Sequence, residues 1–265
     1  MIENKKEFKL ISKKNPKSLL PNTLTIFGVC LGLSSIKFAL DANYSMSIIA
    51  IAFAATLDTL DGRVARLIKG TSKVGKELDS LTDVVSFGVA PSFIMYFWAL
   101  NEFGNFGWML ALIYTVCCAL RLARFNLTLI NENESWKINF FEGVPSPAAA
   151  GLVLLPLIFS LTSFTQFENI STLSAPFIFV TSILMVTKIP TYSLKRIVIQ
   201  KHYAIFLLLG IGIYLSMIIF FTFEILFLTG LVYILLIPIS FFHYRYKNKM
   251  TISGIKEDED TDEVL

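Results

Sequence analysis

Apolar stretches of 16–24 residues recur eight times along this 265-residue chain, at 19–40, 45–68, 78–100, 107–130, 147–164, 175–190, 203–221 and 225–242. A helix of about 20 residues spans the roughly 30 Å hydrocarbon core of a bilayer. Inside lipid the backbone must satisfy its own hydrogen bonds, so segments of this kind fold as helices. With 54% hydrophobic residues and mean hydropathy +0.64, the chain is too apolar for an ordinary soluble domain. The fold expected is an all-α, polytopic membrane helical bundle of about eight transmembrane helices with both termini on one side. The fifth and sixth stretches are short and flanked by proline, which leaves six or seven spans open.

Charge sets the orientation. Of the 23 Lys and Arg residues, 22 fall in the N-terminal segment, the second, fourth and sixth connections and the tail, leaving only Lys37. The positive-inside rule makes those regions cytoplasmic. The opposite connections carry Asp41, Glu102, Glu168 and Glu224. The expected organisation is a basic cytoplasmic segment at 1–18, a membrane domain at 19–243 and an acidic, disordered cytoplasmic tail at 244–265. No removable signal peptide is evident, because the basic start runs straight into a full-length span. Cys30, Cys117 and Cys118 all lie in apolar stretches and read as reduced packing residues. His202 and His243 sit apart at helix ends, where interfacial placement outweighs metal ligation. The basic clusters are explained by topology, and no nucleic-acid module is present.

Against this apolar background, four carboxylates stand at fixed spacing in the second and third stretches: Asp58, Asp61, Asp79 and Asp83. On helices, Asp58 and Asp61 are i,i+3 neighbours and Asp79 and Asp83 are i,i+4 neighbours, so each pair shares one face. A charged side chain exposed to lipid at mid-bilayer costs about 2.5–3.5 kcal/mol, so these acids face protein or an aqueous cavity. Two like charges about 4 Å apart repel by roughly 4 kcal/mol at an effective dielectric near 20, so the group needs cations between its members. Oxygen-only ligation without His or Cys suits Mg²⁺ or Mn²⁺. Gly62 and Ala65 leave room for a ligand to approach the helix, and Arg66 offers a planar fork to a phosphate on that face. Small residues in a membrane helix also serve helix packing, and only the surrounding pattern favours the ligand.

The pattern D-x-x-D-G-x-x-A-R-x8-G-x3-D-x3-D, running from Asp58 through Gly75 to Asp83, resembles the CDP-alcohol phosphatidyltransferase family without a gap. The resemblance implies an enzyme that moves a phosphatidyl group from a CDP-linked lipid to an alcohol and releases CMP. It implies a centre of two ions, Mg²⁺ or Mn²⁺, held by Asp58, Asp61, Asp79 and Asp83, with Asp83 also the general base. CDP-diacylglycerol is then expected to meet Asn22, Thr25, Gly62, Ala65, Arg66, Ser72 and Gly75. A homodimer in the bacterial inner membrane, with its site facing the cytoplasm, is likewise what the resemblance and the charge pattern imply.

Four further stretches resemble the phosphatidylserine synthase branch: L-T-D-V-V-S-F-G-V-A-P-S around Asp83, C-A-L-R-L-A-R-F-N ending at Asn126, F-E-G-V-P-S-P-A-A-A-G ending at Gly151 and K-I-P-T-Y-S-L-K from Lys188 to Lys195. That branch implies L-serine as the acceptor, whose carboxylate calls for an Arg or Lys. The candidates are Arg121, Arg124, Lys188 and Lys195, set against plain positive-inside anchoring or snorkelling. A sister transferase using inositol phosphate or glycerol phosphate would share every metal ligand. A cation channel or transporter is disfavoured, since neither an internal repeat nor a pair of broken helices is found.

Overall fold

The computed structural model describes residues 19–68, 73–128, 140–163, 170–192 and 204–262. α1 (Leu19–Leu40) and α2 (Tyr44–Leu67) form an antiparallel hairpin. Its tight turn places Ala42 at φ 57°, and Asn43 caps α2 by accepting from the Met46 amide at 3.3 Å. Small residues let the two helices close. Ser35 and Ser47 are fully buried at the crossing, where the Ser47 hydroxyl donates to the Ser35 carbonyl at 2.7 Å.

The third apolar stretch is one continuous rod in three parts: α3 (Lys73–Asp83), a π-helical segment (Val84–Val89) and α4 (Ala90–Trp98). The wider π turn starts on the residue after Asp83, a position typical of functional sites. Side chains around it absorb the altered backbone. The buried Tyr114 hydroxyl donates to the Phe87 carbonyl at 2.9 Å, and the Ser86 hydroxyl donates to the Gly28 carbonyl of α1 at 3.3 Å. Gly32 of α1 lies against Ser86 so closely that a Cβ there would sit 2.6 Å from the Ser86 Oγ and 2.9 Å from its Cα.

A short 3₁₀ turn (Leu100–Phe103) leads into α5 (Gly104–Thr128), which packs along the π segment and α4. Next come β1 (Phe140–Glu142), α6 (Ser146–Val153) and α7 (Leu155–Ser160), then α8 (Ser174–Val186) and β2 (Pro190–Tyr192). β1 and β2 pair antiparallel with Phe141 opposite Thr191. Gly143, at φ +78°, follows β1 and carries its backbone against the end of α8, where a Cβ would lie 2.8 Å from the Met185 and Thr187 carbonyls. α9 (Ala204–Phe220) and α10 (Thr222–Asp262) lie outside, with Leu208, Ile219, Phe220 and Leu235 among many exposed apolar side chains that suit contact with lipid.

The all-α polytopic membrane bundle expected from the sequence is present, and four of its eight expected spans are formed by helices of full spanning length among the described residues. Among the described residues four helices are long and apolar enough to cross a membrane: Leu20–Leu40, Val74–Trp98, Leu100–Leu127 and Thr222–Lys247. Hydropathy does not see the breaks, short helices and charges of the other four stretches. The fifth stretch divides at Leu154 into two short buried helices, with Pro156 in the first turn of the second. The sixth stretch yields a 13-residue helix that ends at Thr187 before the extended Pro190, and α9 has 17 residues. α2 has 24 residues but carries Asp58, Asp61, Arg63 and Arg66 in its second half. α10 runs past the boundary drawn at 243 and reaches Asp262.

Candidate active site

The acid pairs meet because α1 packs against both α2 and α3 and so brings the two acid-bearing helices to one place beside it. Asp58, Asp61 and Asp79 each bring a carboxylate oxygen to within 4.8 Å of the others. They line one small cavity with Leu24, Thr25 and Gly28 of α1, Thr82 of α3 and Ser86 and Phe87 of the π segment. Thr25 is buried and orients Asp61, donating to its Oδ2 at 2.7 Å. This grouping of oxygen donors fits a hard divalent cation. Among the described residues none of these acids forms an ion pair with Lys or Arg, so their mutual repulsion has no nearer relief. The site is therefore a metal-binding one.

Asp83 lies one turn further along α3 and adjoins the cluster, with Asp58 as the charged neighbour that acts on it most strongly. It is buried, and its Oδ1 has no hydrogen-bond partner. Its Oδ2 faces the Ser146 hydroxyl at 3.4 Å, and that hydroxyl accepts from Arg121 Nη1 at 3.0 Å. Arg121 is only 6% exposed, unlike a snorkelling base.

The two arginines of α5 diverge. Arg124 donates from Nη1 to the Val186 carbonyl at 2.6 Å, satisfying the C-terminal end of α8. Asn126 donates to the Ser80 hydroxyl at 2.9 Å, tying α5 to α3 between the two acids of that helix. Lys188 is exposed just before β2, while Lys195 and Ser72 lie outside the described residues. Asn22 is half-buried near the start of α1, and Gly75 is half-buried in the first turn of α3. Arg66 is exposed and folds back over Gly62, where a Cβ would meet its Nη1 at 3.8 Å; Ala65 is half-buried beside it.

Sequence reasoning missed two groups. Ser146 stood out only as part of a Pro-Ser-Pro entry to a span, yet it bridges Arg121 and Asp83. Tyr233 of α10 drew no attention, since its surroundings are uniformly apolar; in the fold it packs against the core within electrostatic range of Arg121. The β1–β2 pair explains why two separate stretches matter together, because it joins the strand before Ser146 to the strand after Lys188.

The acid cluster that α2 and α3 present beside α1, with the acid–serine–arginine chain next to it, is an arrangement that cation-assisted transfer chemistry could use. The chain belongs to the CDP-alcohol phosphatidyltransferase family, whose model matches residues 18–191. It is 35% identical to the CDP-diacylglycerol–serine O-phosphatidyltransferase of Mycobacterium leprae over 233 residues, 86% of this chain and 76% of that protein. It is 39% identical to the enzyme of the same name from Helicobacter pylori over 183 residues, 69% of this chain and 76% of that one. The Bacillus subtilis enzyme of that name is 38% identical over 141 residues, covering 53% and 76%. Within the family, the chain falls in the branch of these relatives.

Proposed function

We propose that this protein transfers the phosphatidyl group of CDP-diacylglycerol to L-serine, giving phosphatidylserine and CMP. The observation that carries the reading is the placement of Asp83, which adjoins the acid cluster on one side and faces the Ser146–Arg121 pair on the other. A base that borders both the diphosphate site and a buried cation suits an acceptor that is both an alcohol and a carboxylate. The relatives named for serine transfer support the same acceptor.

Asp58, Asp61 and Asp79, with Asp83 beside them, would hold two ions, Mg²⁺ or Mn²⁺. Such ions, when bound, neutralise the diphosphate and stabilise charge on the oxygens of the displacement. Thr25 fixes the Asp61 carboxylate, while Asn22, Gly62, Ala65, Arg66, Ser72 and Gly75 form the CDP-diacylglycerol side, where Arg66 presents its guanidinium to phosphate. Arg121 takes the serine carboxylate. Asp83 Oδ1, free of other partners, accepts the proton of the serine hydroxyl. The serine oxygen then forms its bond to the phosphorus bearing diacylglycerol as the bond to CMP breaks. The sequence offers no well-supported Ser–His or Cys–His pair, which makes direct transfer the preferred reading over a covalent intermediate.

The distribution of basic residues supports a site that faces the cytoplasm, in the inner membrane of a bacterium. A homodimer is the assembly proposed, as the family resemblance implies and as symmetric pairs are the commonest oligomers. The functional test is an acceptor panel. Purified protein, CDP-diacylglycerol and Mg²⁺ or Mn²⁺ are incubated with serine, glycerol phosphate or inositol phosphate, and the lipids are identified by mass spectrometry. Phosphatidylserine from serine alone is the expected outcome; a product from another acceptor and none from serine overturns the assignment.

A further inference from the structure

We infer that Tyr233 of α10 is a specificity-determining residue that donates its phenolic hydrogen to the acceptor's carboxylate beside Arg121, an assignment that rests on the serine reading above. α10 begins beyond residue 191, where the family match ends, so nothing in the shared motif points to it. Its approach is set by Gly230. A Cβ at that position would lie 2.0 Å from Leu155 Cδ1, so the missing side chain lets α10 close onto α7. One turn further on, Tyr233 enters on the same face, packed with Ile234 and Ile237 against the core, while Leu228, Val232 and Leu235 stay exposed on the outer face.

A phenol is an odd choice for pure packing here. The Tyr233 hydroxyl is buried and lacks a hydrogen-bond partner of good geometry. Its neighbour Thr191, on β2, gives its own hydrogen to the Gly143 carbonyl at 2.9 Å and offers the phenol only an oxygen lone pair outside good hydrogen-bond geometry. Arg121 is in the same condition: Nη1 serves Ser146, but the buried Nε has no acceptor. Asp83 Oδ1 completes the set. Buried polar atoms are almost always paired, and Arg121 is the charge that acts on both Asp83 and Tyr233, so the unpaired atoms of these three residues suit the outline of an absent ligand. Their chemistry specifies it: an acceptor atom on Asp83 for a hydroxyl proton, and a guanidinium N–H with a phenolic O–H for the two oxygens of a carboxylate.

The test measures initial rates of the purified full-length chain at saturating CDP-diacylglycerol. Tyr233→Phe should raise the serine KM about tenfold, the effect of losing one hydrogen bond to a charged group, with the CDP-diacylglycerol KM unchanged. Serine methyl ester, which keeps the hydroxyl and ammonium but lacks the carboxylate charge, should inhibit the variant and the wild type equally. Tyr233→Met reads the same quantities if the first variant folds poorly. An unchanged serine KM overturns the assignment, as does a parallel loss of affinity for the ester, which would reveal a packing role. Wild-type protein that does not use serine at all overturns the functional reading instead, and this assignment with it.

Discussion

The Ser146 hydroxyl faces Asp83 Oδ2 at 3.4 Å while accepting from Arg121 at 3.0 Å, so one side chain at the start of α6 couples the base to the buried cation. Ser146→Ala removes both contacts without adding volume. A hydrogen bond to a charged group contributes about 1.5–3 kcal/mol, so transfer should slow by roughly ten- to a hundredfold. Ser146→Thr, which keeps the hydroxyl, should recover part of the loss. Steady-state CMP release checks both variants; wild-type rates in Ser146→Ala would show that the chain is structural only.

Asp83→Asn separates base from scaffold. The amide keeps the shape of the carboxylate but accepts a proton poorly. The variant should bind CDP-diacylglycerol and lose transfer by about 10²–10⁴-fold. Binding is read by equilibrium capture of labelled substrate and transfer by lipid product, and near-normal transfer would move the base elsewhere.

Thr25 is expected to act through Asp61. Its hydroxyl holds the Asp61 carboxylate at 2.7 Å, and groups that orient a metal ligand typically account for about 10–100-fold in metal affinity or activity. Thr25→Val should therefore raise the Mg²⁺ concentration needed for half-maximal rate by roughly that factor, and Thr25→Ser should restore it. A rate loss that excess Mg²⁺ does not rescue would argue against a role through the metal.

The two arginines of α5 should part company. Arg121→Ala should raise the serine requirement about ten- to a hundredfold. Arg124→Ala frees the Val186 carbonyl at the end of α8 and should lower the melting temperature while leaving serine dependence alone. Serine titration and thermal melting of both variants test this pairing, and a shared phenotype would contradict it.

Gly32 meets Ser86 where α1 crosses the π segment, next to the residues that line the acid cavity. A Cβ there collides with the Ser86 Cα, not only with a movable side chain end. Gly32→Ala should destabilise the protein by about 1–3 kcal/mol through overpacking, seen as a lowered melting temperature in detergent.

How much of this the sequence discloses depends on how local the signal is. The four aspartates are legible because their spacing within each helix already fixes a shared face, and the hairpin of α1 and α2 needs only to bring the faces together. The break in the fifth stretch is not legible to hydropathy, which scores 147–164 as apolar whether or not a helix divides at Leu154. Arg121 and Arg124 look alike in sequence, and only the position of α8 gives one of them a carbonyl to cap. Ser146 and Tyr233 take their meaning from contacts to residues 25 or more positions away, which no periodicity encodes.

The central claim, that the acid cluster and the Asp83–Ser146–Arg121 chain form one serine-directed phosphotransfer site, is tested most directly by serine-dependent CMP release. Purified protein with CDP-diacylglycerol is assayed with and without serine, before and after exhaustive chelation, with the lipid product identified by mass spectrometry. The account predicts phosphatidylserine and CMP in equal amounts, release that requires serine, abolition by chelator and recovery with Mg²⁺ or Mn²⁺. Full turnover after chelation, or CMP release indifferent to serine, would contradict it.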